Sequence, residues 1–304
     1  MYRVLTFSLI AATLAAQTFR PPRTPDGHPD FQGIWNSATA TPMERPQEFA
    51  GKPFFTEAEA HAWETRTADR NSEGVRLGPA AGVGNYNNAF WEFGSRVDPT
   101  MRTSMVTDPP DGRVPPLTPS AQRAQAERQA IARRTPTGPE DLGLGSRCLA
   151  FPTGQVPMTP FNYNSNYSIF QTPDYIAISA EMIHDTRIIP LRPRPHLPST
   201  VRLWFGDSVG HWEGDTLVID TTNFTDKTPF YGSDANLHVV ERLRWYDAKT
   251  LLYQFEIEDA TAFTRPWKGE LTMAAAPGPI YEYACHEGNY ALPDILRGLL
   301  RENP

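Results

Sequence analysis

From residue 167 onward the chain alternates apolar and polar residues with a period of two, in short runs divided by turn signals. That is the pattern of half-buried antiparallel strands. Strands are expected over residues 167–171, 175–181, 187–191, 201–205, 210–213, 216–222, 237–245, 250–258, 265–273 and 280–285. Their connections include Thr-Pro-Asp, His-Asp-Thr, Glu-Gly-Asp, Asp-Ala-Lys and Ala-Pro-Gly-Pro. The clearest hairpin spans residues 211–220, where Gly214 supplies the positive φ of a tight turn. Strands in this number without crossover helices exclude a parallel α/β fold. A meander this long must curl or pack on itself to protect its edges, so the expectation is a mainly β protein whose antiparallel sheet forms a barrel or a strongly curved sheet.

The first half reads differently. Nineteen of the 30 prolines fall in residues 1–160, whereas residues 200–276 hold only Pro229 and Pro266. Two helices are expected there, over residues 56–70 with Thr56 and Glu59 as a capping box, and over 118–134 opened by Thr118 and Pro119. A short terminal helix is expected over 292–301. The aromatic stretch 85–91 is expected to pack over the sheet. The resulting organisation is a signal segment over 1–16 and one β-rich domain over 17–304. Within that domain, residues 17–160 are a loop- and helix-rich cover, 161–290 the antiparallel core and 291–304 a terminal helix and tail.

Met1-Tyr2-Arg3, the apolar run 4–12 and the small residues that follow have the layout of a secretory signal cleaved after Ala15 or Ala16. No later run is long and apolar enough to span a bilayer, so the expectation is an exported, soluble chain, periplasmic or extracellular. The net charge of -7, without a Lys/Arg run, excludes an electrostatic grip on nucleic acid or anionic lipid. In an oxidising compartment Cys148 and Cys285 are expected to pair. Closing so long a loop contributes roughly 4 to 5 kcal/mol in the chain-entropy model. The competing reading makes Cys285 a nucleophile activated by His286.

Three segments carry a resemblance: Pro25 to Asn36 (PDGHPDFQGIWN), Gly210 to Leu217 (GHWEGDTL) with Thr222-Asn223-Phe224, and Tyr281 to Tyr290 (YEYACHEGNY). Together they resemble a family of uncharacterised exported bacterial proteins. The resemblance implies export and a one-domain organisation, and it transfers no catalytic residue. Separately, Gly33-Ile34-Trp35 resembles the Gly-x-Trp that opens lipocalin barrels, and Thr172-Pro173-Asp174-Tyr175 resembles their Thr-Asp-Tyr turn. This second resemblance implies a calycin-like barrel.

Chemistry is sought among histidines with carboxylates nearby. On a strand, residues i and i+2 share a face, so His211 and Glu213 point one way and Trp212 the other. A strand over 280–285 would likewise put Glu282 and His286 on one face, with Tyr283 and Cys285 opposite. If the two strands adjoin, His211, Glu213, Glu282 and His286 form one cluster. Three readings stay open for it: a divalent ion such as zinc, metal-free acid/base catalysis, or hydrogen bonding on a wet sheet face. His184, at a hairpin tip, is a further catalytic candidate, while Asp185 suits a turn residue that bonds its own backbone.

Residues 161–167 alternate aromatic rings with amides, which suits a sugar or polar aromatic ligand and equally a self-satisfied loop. Tyr163, Asn164 and Tyr167, with Trp204 and Tyr283, are the candidate ligand contacts. The proline-stiffened residues 192–198 are either a rigid strap or a rim of cations. Nucleotide, serine-hydrolase, dithiol and c-type haem motifs are missing. The functional expectation is an enzyme of hydrolase, lyase or isomerase type that uses a His/carboxylate pair in an aromatic-lined pocket on a small neutral or weakly acidic molecule. The alternative is a binding protein carrying an apolar or sugar-like ligand in the barrel.

Overall fold

The computed structural model describes residues 19–74, 94–154, 156–161 and 163–302. The expected signal segment and the aromatic stretch 85–91 lie outside them. Among the described residues, ten strands form one antiparallel sheet: β1 (Gly33–Asn36), β2 (Val106–Asp108), β3 (Asn166–Gln171), β4 (Tyr175–Ala180), β5 (Thr186–Pro190), β6 (Asp207–Glu213), β7 (Thr216–Thr222), β8 (His238–Asp247), β9 (Thr250–Glu258) and β10 (Trp267–Ala275). The order is β5-β4-β3-β1-β10-β9-β8-β7-β6, with β2 paired to β10 off the path. Three α-helices accompany it: α1 (Glu57–Gly74), α2 (Pro119–Ala132) and α3 (Ala291–Glu302).

The sheet nearly closes into a barrel because β1 pairs with both β3 and β10. One seam stays unsealed. β5 and β6 lie side by side, yet among the described residues no ladder joins them. β5 ends at Pro190, and Pro193, Pro195 and Pro198 follow in the connection to β6, so this stretch cannot extend a ladder along the seam. Proline has no N–H to donate to a ladder. Packing takes over at this point, since Gly210 leaves room for Ile189 and Leu191, whose methyl carbons would lie 2.9 and 3.0 Å from a Cβ at that position.

Alternation places each side chain. Leu217, Ile219, Val239, Leu243, Tyr253, Phe255, Ile257, Trp267 and Met273 point inward and are buried, so the interior is a packed core. It also holds charge. Arg187 donates two hydrogen bonds to Glu241, at 2.8 and 2.9 Å, and the Tyr253 hydroxyl donates to Glu241 at 2.7 Å. Burial works against the guanidinium, but the charge and hydrogen bonds of Glu241 outweigh it and hold Arg187 above its ordinary value.

The loop-rich half does more than cover the sheet, for it supplies β1 and β2. Neither strand was expected, because runs of four and three residues show too little alternation to be read. A satellite cluster of Phe49, Phe55, Ala60, Trp63 and Val97 packs beside the barrel. Both expected helices of this half form with their caps. Thr56 and Glu59 bond each other's backbone N–H at 2.8 and 3.3 Å, and the Thr118 hydroxyl accepts from the Ala121 N–H at 3.2 Å.

Two expected strands do not form. Residues 201–205 make a single bridge, Leu203 to Phe224, before Gly206 turns the chain into β6. Residues 280–285 are irregular, with Tyr281 74% exposed. Their alternation buries neither side, and Cys285 is tied to Cys148 rather than to a neighbouring strand.

Candidate functional site

The disulfide Cys148–Cys285 joins residues 137 apart in sequence, with Cα atoms 5.8 Å apart. It pins the segment before α3 against the loop that follows α2. Between them lies a cavity of about 610 Å³ walled by Phe151, Tyr163, Glu282, Tyr283 and Asn289. The aromatic wall is built by edge contacts: Phe151 and Phe161 meet at 4.9 Å and 89°, with Tyr163 6.2 Å from Phe151. Asn289 donates to the Ser146 carbonyl at 3.1 Å and holds the two walls together.

His184 adjoins this cavity, its Nδ1 lying 3.3 Å from the Tyr283 carbonyl oxygen. Its backbone is unusual. Ile183 and His184 have φ of 60° and 47°, a left-handed pair that a β-branched residue adopts only under constraint. The constraint is visible in Glu181, which is buried and accepts from Asn166 at 2.8 Å, and in Asn166, which accepts from Asn36 at 2.7 Å. Asp185 follows. Its Oδ2 is buried without a hydrogen-bond partner, and burial pushes the carboxyl up to about 6 against the opposing pull of His184. This departs from the expected turn role, in which the carboxylate would bond the backbone.

The other sequence candidates are dispersed. His211 and Glu213 share the outer face of β6 as expected, with Nε2 and Oε1 3.2 Å apart, but they are 57% and 54% exposed. Glu282 lines the disulfide cavity and His286 is exposed in the irregular segment that follows. Among the described residues no hydrogen bond or ion pair joins His211 or Glu213 to Glu282 or His286, and the strand that would have aligned them does not exist. Tyr167 points into the packed interior and is fully buried, its hydroxyl beside Ser37. Asn164 is half-buried with a φ of 52°, and Trp204 is half-buried, its carbonyl accepting from Thr228 at 2.8 Å.

A second polar constellation occupies the outer face of β6 to β9. Asp207 contacts His196 Nδ1 at 3.0 Å, His196 Nε2 contacts Asp220 at 3.0 Å, Asp220 contacts His238 Nε2 at 3.2 Å, and His238 Nδ1 contacts Glu258 at 3.0 Å. Arg194 clamps Asp207 through bonds of 2.6 and 3.1 Å, and Arg192 clamps Asp174 at 2.7 and 2.8 Å. Residues 192–198 are therefore a strap with both guanidinium groups paired within the chain. Burial pulls His238 down, but its bonds to Glu258 and Asp220 prevail and raise it above the ordinary value. Burial likewise works against the Asp207 carboxylate, yet Arg194, the Leu197 N–H and His196 together lower it. His238 and Glu258 open onto a cavity of about 700 Å³ that also meets Asn236, Phe263 and Arg265.

Sequence reasoning missed this chain because its members lie on four strands and a strap. Only the register shows that Glu258 stands opposite His238 and that Asp220, opposite Val240, reaches His238 diagonally. The usable signal was Asp220, the one charged residue of β7, and His238 at the start of β8. Among the described residues no group of three His, Cys, Asp or Glu side chains is spaced to hold a metal ion. No described helix is long and apolar enough to cross a membrane. Comparison with family models, with curated proteins and with solved structures finds no match for the chain.

Proposed function

We propose that the chain is an exported acid/base enzyme, of hydrolase, lyase or isomerase type, acting on a small neutral or weakly acidic molecule held in the cavity beside the disulfide. The signal-like first residues and the disulfide support export. The observation that carries the enzymatic reading is His184 at the cavity edge, 3.3 Å from the Tyr283 carbonyl, followed in the chain by Asp185, a partly buried carboxyl with an unpartnered oxygen, lifted to about 6, that does not itself line the cavity. A group titrating near neutrality can both take and return a proton, which is what general acid/base catalysis requires. Phe151, Tyr163 and Tyr283 offer ring faces for a flat or sugar-like substrate, and Glu282 offers a second carboxylate on the wall.

The test is a screen of chromogenic esters and glycosides, followed by pH–rate profiles. Turnover with an inflection near 6 that disappears in Asp185→Asn, and falls at least 100-fold in His184→Ala, is the expected result. Equal rates in wild type and both variants would sink it. In the second reading, a binding module, the ligand sits in the cavity beside the disulfide and not inside the barrel, whose interior is packed. Native mass spectrometry of the exported protein separates the two. A retained organic ligand that Tyr163→Ala releases, without turnover, favours the binder.

A further inference from the structure

We propose that the strap over residues 192–198 is a proton-dependent clasp on the open seam, closed while His196 and His238 are both imidazolium and released when they lose their protons. The proposal is independent of the cavity beside the disulfide and of the reading placed on it.

The geometry sets the requirement. Each of the two rings has a carboxylate oxygen at both of its nitrogens, at 3.0 and 3.0 Å for His196 and at 3.0 and 3.2 Å for His238. A neutral imidazole has one N–H and one lone pair, so it satisfies one such contact and sets a lone pair against a carboxylate at the other. Only the imidazolium donates to both. Charge gives the same answer. The groups facing the clasp are Arg194 and His196 from the strap, Asp207 from β6, Asp220 from β7, His238 from β8 and Glu258 from β9. Three carboxylates and one guanidinium are neutralised by two imidazolium ions, and without them the cluster carries two net negative charges.

What the clasp holds is specific. The strap is the connection between β5 and β6, the two strands that no ladder joins. Beyond His196 it is fastened by Asp207 accepting from the Leu197 N–H at 2.9 Å and by Asn223 donating to the Leu197 carbonyl at 2.8 Å. Both bonds lie next to His196, and Asp207 is shared between the ring and the Leu197 N–H. Loss of the ring's bonds leaves the Arg192–Asp174 pair anchoring the start of the strap, and Arg194, the Leu197 N–H and Asn223 to hold its middle against mutual repulsion of Asp207 and Asp220. Release would loosen the strap along β6 and β7 and free the seam, behind which lies the Arg187–Glu241 pair.

Hydrogen exchange of the whole protein, read at pH 5.5 and pH 8.5 with exposure times scaled for intrinsic exchange, tests this. The amides of Leu197, Val201 and Leu203 are expected to lose protection by at least tenfold at pH 8.5, while β9 amides hold theirs. In His196→Gln the strap amides are expected to be equally unprotected at both pH values. Asp220→Asn, which removes the anion shared by the two rings, is expected to shift the loss of protection to lower pH. Unchanged strap protection between the two pH values, a loss shared by β9, or a His196→Gln profile that still follows pH would each overturn the proposal.

Discussion

Arg187 on β5 and Glu241 on β8 close a bidentate ion pair across the barrel interior, joining the two sides of the seam that backbone hydrogen bonds leave open. Both side chains are buried, and Tyr253 supplies a third bond to the carboxylate. Such a pair adds little net stability over an apolar pair, because desolvation offsets its attraction, but losing one partner strands the other. Arg187→Met is therefore expected to cost about 3–5 kcal/mol in urea unfolding. Arg187→Met with Glu241→Leu should recover most of that loss. A double variant as unstable as the single would show that the charge pair is not the determinant.

Gly210 tests the packed side of the same seam. A Cβ there meets Ile189 at 2.9 Å and Leu191 at 3.0 Å, so Gly210→Ala is expected to cost about 1–3 kcal/mol as the methyl groups are pushed off their rotamers. Adding Leu191→Ala, which removes the Cδ2 that the new methyl meets, should return part of it. Full stability of Gly210→Ala alone would mean that the strands part without cost.

The disulfide closes a loop of 137 residues. Replacing both cysteines with serine is expected to lower unfolding stability by about 2–5 kcal/mol under oxidising conditions. The variant's urea midpoint should match that of the reduced wild type. Coincidence of the variant with the oxidised wild type would remove the disulfide as a stabilising element.

Asp98 sets a pH dependence of known sign. It is buried 4% exposed, accepts from Thr272 at 3.0 Å, and burial lifts its carboxyl from 3.8 to about 6. Its folded value lies above its unfolded one, so the stability it contributes is complete below 3.8 and is lost as pH rises through about 6. Asp98→Asn should raise stability at pH 8 by up to about 3 kcal/mol and change little at pH 4. Equal pH dependence in variant and wild type would contradict this.

Much of the barrel was legible because half-buried strands alternate. The strands beginning at Thr216 and Thr250 form over the expected residues, and Gly214 turns the hairpin with a φ of 61°. Thr56 and Thr118 were legible as helix starts because capping is local chemistry. Residues 280–285 misled for the same reason that the others did not: Tyr281, Tyr283 and Cys285 alternate, yet no sheet face receives them. Of the site candidates, Tyr163, Glu282 and Tyr283 meet at one cavity with His184 at its edge, whereas His211 and Glu213 stand alone at a hairpin.

The sequence by itself determined the strand period, the turns, the helix caps, the absence of crossover helices and the pairing of the only two cysteines, because each follows from contacts between near neighbours or from simple counting. Tertiary structure alone decided that β1 would leave the first half to seal the sheet against β3 and β10, that β5 and β6 would meet without a ladder, and that His196 and His238 would meet on Asp220. The reason is physical. Register and closure depend on which distant strands lie side by side, and a side chain's partner across a sheet is set by that register rather than by any residue near it in sequence.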